Sequence, residues 1–175
     1  MTAAVRIPEG SLVVLIGPSG SGKSTFAGRH FLPTEVLSSD ACRAMVCDDQ
    51  TQQSVTKQAF EILHFIAARR LSAGRRTVID ATNVLPEARR PLLRLAREHG
   101  RAAVAIVFDL PEDVCARRNA ERAGRDVGAD VVRRHAEQLR RSMGRLGQEG
   151  FAVVHVLTSQ EDVDAATVES AGPPA

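Results

Sequence analysis

The chain has 175 residues, 43% hydrophobic and 25% charged, with a formal net charge of +2. These values suit one globular domain over residues 1–169 with a flexible tail at 170–175, and they exclude disordered and fibrous classes. No apolar run approaches the ~20 residues needed to span a bilayer, and the start lacks the apolar core of a signal peptide, so a soluble cytoplasmic protein without a membrane partner is expected.

The first predicted element is the strand Leu12-Val13-Val14-Leu15-Ile16, a continuous apolar run of the kind a buried parallel sheet requires. A Gly-rich loop follows, then a helix from Lys23 to Phe31. Glu35-Val36-Leu37 reads as a short second strand. Thr51 to Ser72 reads as a long helix with Val55, Ala59, Ile62, Phe65 and Ile66 on one face. Thr77-Val78-Ile79 is a third strand, followed by a helix from Pro86 to His99, with proline in its first turn and Gly100 past its end. Ala102 to Phe108 is a fourth strand. Helices are expected from Pro111 to about Ala123 and from Val127 to Leu146, the latter with Val131, His135, Leu139 and Leu146 near one face. Phe151 to Leu157 is a fifth strand, and a last helix starts near Glu161. Strands alternating with helices predict an α/β fold with a five-stranded parallel sheet. Ligands in such folds sit beyond the carboxyl ends of the strands, so chemistry is to be sought in the residues just after the first four strands.

Several classes are excluded by residue usage. Cys42, Cys47 and Cys115 are odd in number and form no CxxC pair, so neither a disulfide framework nor a zinc cage is indicated. There is no Trp or Tyr and there are six Phe, which argues against a platform of stacking aromatics for nucleic acid. The charge is uneven: residues 115–145 carry a net +5 and residues 146–175 a net −5. A basic segment in a nearly neutral chain points to a local anionic partner.

Gly17-Pro18-Ser19-Gly20-Ser21-Gly22-Lys23-Ser24 fits GxxxxGK[ST] at every fixed position and lies between a strand and a helix, the context that confirms the motif. Its glycines let backbone N–H groups curl around phosphate oxygens. The helix start, with Thr25 next to Ser24, adds positive potential. Lys23 is expected at the β- and γ-phosphates of ATP or another nucleoside triphosphate, and Ser24 on Mg²⁺.

Asp40 stands just past the second strand. Asp40 and Arg43, three apart, share a face if a helix begins there. Asp40 either accepts a proton from an attacking hydroxyl or, with Ser39, caps a helix. Arg43 either holds an anionic acceptor or lies exposed. Val78-Ile79-Asp80-Ala81-Thr82-Asn83 ends the third strand with an acid, so Asp80 is expected near Mg²⁺ through water. Thr82 and Asn83 either face the cleft or form an Asx-type turn. No second acid follows Asp80, which counts against a motor that hydrolyses ATP with water.

Arg118, Arg122 and Arg125 are spaced to form one helical stripe, as in a lid over a triphosphate or a solvated face. Arg133, Arg134, Arg140 and Arg141 read as the polar side of an amphipathic helix. His135 reads as a packed side chain.

The segments GPSGSGKSTFA, SSDACR, VIDATN and CARRNAERAGRDVG together resemble the 5′-polynucleotide kinase domain of bacterial RNA-repair enzymes, from Ile7 to about Ala166. In that family the domain sits beside phosphatase and ligase modules. The resemblance implies a P-loop kinase fold with a helical, arginine-bearing lid over about 115–145. It implies transfer of the γ-phosphate of a nucleoside triphosphate to a 5′-OH end of RNA or DNA in nucleic-acid repair. Asp40 then matches the general base, Arg43 the acceptor contact, Lys23 and Ser24 the phosphate and Mg²⁺ contacts, and Arg118, Arg122 and Arg125 the lid. The rival readings are a small-molecule kinase of the same fold and a non-catalytic nucleotide-binding module.

Overall fold

The computed structural model describes residues 4–122 and 127–172. The run Leu12–Ile16 (β2) is buried on both faces at the centre of a parallel sheet. Around it stand β3 (Val36–Ser38), β4 (Thr77–Asp80), β5 (Ala103–Phe108) and β6 (Val153–Leu157), in the order β3-β4-β2-β5-β6. Every pair is parallel, so every connection must cross over, and helices fill the crossovers.

The period of two divides the strand residues between two cores. Leu12, Val14, Ile16, Ile79 and Val107 face α2 (Ser39–Cys47), α3 (Thr56–Ser72) and α4 (Pro86–Glu98). Val13, Leu15, Val78, Ile106 and Phe108 face α1 (Lys23–His30), α5 (Glu112–Ala120) and α7 (Gln160–Ala165). The helix α6 (Ala129–Met143) contributes to both, through Leu139 and Val132.

The chain leaves β2 for β3 and β4, then crosses back over β2 to β5 and β6. The loop after β2 therefore opens where the strand order reverses, the place such sheets bind ligands.

Some expectations are corrected. Two further strands, β1 (Ala4–Pro8) and β7 (Thr167–Ala171), pair in parallel as a separate ribbon. Ser170 and Ala171 thus belong to a strand, not to a tail; residues 173–175 lie outside the described ones. A 3-10 turn over Gln53–Val55 precedes α3, which starts at Thr56 rather than Thr51. Its buried face is Ala59, Leu63, Ala67 and Leu71, and Phe65 is 61% exposed under the Arg69 guanidinium. In α6 the buried face is Val132, Ala136, Leu139 and Ser142; Val131 and His135 turn one step aside, toward the cleft described below. The helix α5 stops at Ala120, so Arg118 and Arg122 do not share one helical stripe. Arg125 and Ala123 lie outside the described residues. Among the described residues no helix is long and apolar enough to cross a membrane.

Candidate active site

A cleft of about 1070 Å³ lies beyond the carboxyl ends of β2, β3 and β4. Its floor is the phosphate loop between β2 and α1. Gly17 donates its N–H to the Thr82 carbonyl at 2.9 Å, tying the loop to the segment after β4. Gly20 and Gly22 have φ of 79° and 93°, a region that favours glycine. A β-carbon on Gly20 would lie 2.1 Å from the Cys115 carbonyl oxygen, so the loop packs directly on the backbone of α5. Gly22 caps α1 without any side-chain hydrogen bond. The first N–H groups of that helix therefore have no side-chain competitor for an anion.

Lys23 is 7% exposed. Its ammonium donates to the carbonyls of Gly17 at 2.8 Å and Pro18 at 2.7 Å and to Ser21 Oγ at 3.3 Å. A buried cation needs such acceptors, and here they keep the charge at the mouth of its own loop. Gly17 and Ser21 thus shape the loop, while Ser19, Gly20, Gly22, Lys23, Ser24 and Thr25 line the cleft.

Asp40 faces the loop from α2. The helix is capped by Ser38, whose hydroxyl accepts from the Ala41 N–H at 3.3 Å, so the alternative of Asp40 or Ser39 as the cap falls away. The Asp40 carboxylate instead accepts from Arg43 at 2.5 Å, with the two side chains 14% and 5% exposed. Arg43 also donates to the Gln50 carbonyl at 3.0 Å. Arg43 lines the cleft, held between Asp40 and the chain beyond α2.

Register sets the second acid. Ser38 on β3 is paired with Asp80 on β4, so Asp40 and Asp80 stand at neighbouring strand ends. Asp80 and Thr82 line the cleft. Asn83 does not: it is 2% exposed and donates through Nδ2 to the Leu15 carbonyl at 2.8 Å. Its expected place on an acceptor is corrected: the side chain turns inward, its amide taken up by the Leu15 carbonyl near the end of β2.

Arg118 and Arg122 line the other wall. The Arg118 guanidinium stands 4.0 Å from where a β-carbon on Gly22 would be. Arg29, Gln53, Phe60, His135, Gln160 and Asp164 also line the cleft and were not anticipated as site residues. Gln160 and Asp164 follow the fifth strand of the sheet, beyond the four strand ends singled out in the sequence; the rest come together only through tertiary packing. Cys115, against the loop, has its thiol pushed up from the usual range by burial, as has Cys42. Among the described residues no His, Cys, Asp and Glu cluster suits a metal cage. Ser24, exposed at the start of α1, and Asp80, at the cleft floor, remain as oxygen donors of the kind Mg²⁺ takes alongside phosphates and water.

A central strand, a complete phosphate loop and a helix start aimed into a cleft define a P-loop nucleotide-binding fold of the kinase type. The chain belongs to the AAA domain family (AAA_33), whose model matches residues 12–146. It is similar to the transcription factor bHLH140 of Arabidopsis thaliana, with 30% identity over 156 residues, 87% of this chain and 16% of the plant protein. A chain in the solved Pnkp1/Rnl/Hen1 RNA repair complex has the same fold, with a TM-score of 0.69 and 24% identity over 80% of this chain and 47% of that one. A putative kinase from Chloroflexus aurantiacus j-10-fl is similar along almost its full length, with a TM-score of 0.62, 18% identity, and 94% and 95% of the two chains covered. The chain thus spans about a sixth of the plant relative and about half of the chain in the repair complex.

Proposed function

We propose that this protein is a 5′-OH polynucleotide kinase that transfers the γ-phosphate of ATP or another nucleoside triphosphate to the 5′ end of RNA or DNA. The observation that carries the reading is Asp40. It is a carboxylate in the first turn of α2 that does not cap the helix, opens onto the cleft and is held in place by Arg43. A switch or binding module has no use for such a group. The family resemblance in SSDACR and CARRNAERAGRDVG and the fold shared with a chain of an RNA repair complex support a nucleic-acid acceptor.

In this reading Asp40 takes the proton of the 5′-hydroxyl as that oxygen forms its bond to the γ-phosphorus. The bond from the γ-phosphorus to the β,γ-bridging oxygen breaks, and the nucleoside diphosphate leaves. Lys23 and the loop N–H groups hold the β- and γ-phosphates, and Arg118 and Arg122, with Arg125, neutralise charge on the moving phosphoryl group. Ser24 and Asp80 would hold Mg²⁺, which would supply positive charge to the phosphates when bound. Arg43 orients Asp40 and offers positive charge to the acceptor's first phosphate. Phosphatase and ligase modules of the same repair pathway are the partners implied.

The test is transfer of labelled γ-phosphate from ATP to a short 5′-OH oligonucleotide, RNA and DNA in parallel, with and without Mg²⁺. Metal-dependent labelling that disappears in Asp40→Ala while nucleotide binding persists is expected. Nucleotide binding without labelling of either acceptor overturns the reading and directs the search to small-molecule acceptors.

A further inference from the structure

The segment after β4 places a left-handed backbone and an unsatisfied amide oxygen in one buried residue. Asn83 adopts a φ of 49°, uncommon for residues with a β-carbon and tolerated best by Asn and Asp. Its Oδ1 is buried without a hydrogen-bond partner among the described residues, and a half-satisfied buried amide is destabilising. Costs of this kind persist where surrounding structure over-determines them, and they cluster at functional sites.

The surroundings here do over-determine it. Asn83 Nδ2 donates to the Leu15 carbonyl at 2.8 Å and to the Ala81 carbonyl at 3.3 Å. The Asn83 carbonyl accepts from Arg89 at 2.8 Å. Arg89 is fully buried on α4 and is gripped by both carboxylate oxygens of Glu149, at 2.7 and 2.5 Å. Glu149 lies just before β6, on the far side of the sheet order from β4. Ser142 on α6 donates to the Val84 carbonyl at 3.0 Å. The β4–α4 loop is therefore fastened to β2, to α4 and to α6.

One step along the chain sits the functional consequence. Thr82, next to Asn83, accepts the Gly17 N–H and lines the cleft, and Asp80 lies three residues before Asn83. We infer that Asn83, held by the Arg89–Glu149 pair, is a positioning residue that fixes the distance between the first glycine of the phosphate loop and the Asp80–Thr82 edge of the site. Leu15 and Gly17 flank Ile16, so the side chain and the neighbouring carbonyl grip the chain on both sides of the point where β2 becomes the loop. A buried ion pair is a poor device for stability alone, since apolar replacements of similar volume are often neutral. A bidentate Arg–carboxylate fork is a good device for direction, and here it aims one guanidinium N–H at the Asn83 carbonyl. The inference rests on the nucleotide site of the reading above and not on the identity of the acceptor.

The test compares nucleotide affinity with stability, using titration of a fluorescent ATP analogue and thermal melting. Asn83→Gly keeps the backbone conformation and removes the bridge to Leu15. Glu149→Gln keeps the shape, removes the charge and breaks the two-oxygen grip on Arg89. Leu71→Val, in the core under the far end of α3, serves as a control that lowers the melting temperature without touching the loop. At temperatures where all are folded, Asn83→Gly is expected to bind about tenfold more weakly and Glu149→Gln three- to tenfold more weakly, with Leu71→Val equal to wild type. If Asn83→Gly does not fold, Glu149→Gln decides. Folded variants that bind within twofold of wild type overturn the positioning role, as does an equal loss in Leu71→Val. A wild-type chain that binds no nucleotide overturns the nucleotide site and the positioning role together.

Discussion

Asp40→Asn separates what the Asp40–Arg43 pair does for the fold from what it does for chemistry. The substitution keeps the shape and leaves an oxygen for Arg43, but removes the negative charge and the proton acceptor. The pair is 2.5 Å long and its side chains are 14% and 5% exposed, so solvent screens it little. Removing one partner of a fully buried pair costs about 3–5 kcal/mol. Here the pair opens onto a cleft, Arg43 keeps the Gln50 carbonyl at 3.0 Å and the asparagine oxygen still accepts from it, so the loss is the difference between a hydrogen bond to a carboxylate and one to an amide, about 1 kcal/mol. For a chain of this size that lowers Tm by roughly 2–4 °C. The catalytic loss is larger, because a positioned general base contributes about 10²–10⁴-fold. The assay is labelled-phosphate transfer to a 5′-OH oligonucleotide at a temperature where the variant is folded, with nucleotide affinity measured alongside. Transfer at the wild-type rate would refute Asp40 as the base, and an unchanged Tm would refute the energetic reading of the pair.

Gly20→Ala should lower nucleotide affinity at least tenfold, because its β-carbon meets the Cys115 carbonyl oxygen at 2.1 Å with φ at 79°. Gly28→Ala, on the solvent side of α1 with nothing within 4 Å, should instead be neutral or stabilising by about 0.5–1 kcal/mol. Burial and the nearby Arg94 hold the His64 imidazole below its ordinary value of 6.5. The unfolded chain therefore takes up this proton first as pH falls, so stability is fully present above about 6.5 and is lost on acidification below it. Melting curves from pH 8 to 5 should show this fall, and His64→Gln should make it smaller; an identical slope in the variant would exclude His64 as a source. Brief alkylation of the native protein should label Cys47 first, since Cys42 and Cys115 are buried with raised thiol pKa values. Rapid labelling at Cys115, found by peptide mapping, would contradict its packing under the phosphate loop.

The parts of the site that lie within one short segment were legible in the residues. The phosphate loop was readable because its chemistry needs fixed types at fixed spacing between a strand and a helix. Each acid was placed after its own strand, but only the register between Ser38 and Asp80 sets the two strand ends side by side. Faces of helices were less legible. Phe65 and Leu63 are both apolar, and only packing decides that Leu63 enters the core while Phe65 lies under Arg69. The ribbon of β1 and β7 was not legible, because its two strands stand at opposite ends of the chain and neither is a long apolar run.

Asn83 shows where local reasoning stops. Its place after Thr82 was clear, but not that Leu15 would need its amide or that Arg89 and Glu149, 60 residues apart, would meet behind it. Hydrophobic period and backbone freedom act over a few residues, so the alternation of strands and helices, the phosphate loop and the acid after each of two strands are written locally in the chain. Which polar groups face the cleft, and which are spent holding it open, is settled by packing. That choice is made by hydrogen-bond satisfaction between segments distant in the chain, in a core where an unpaired polar group is costly.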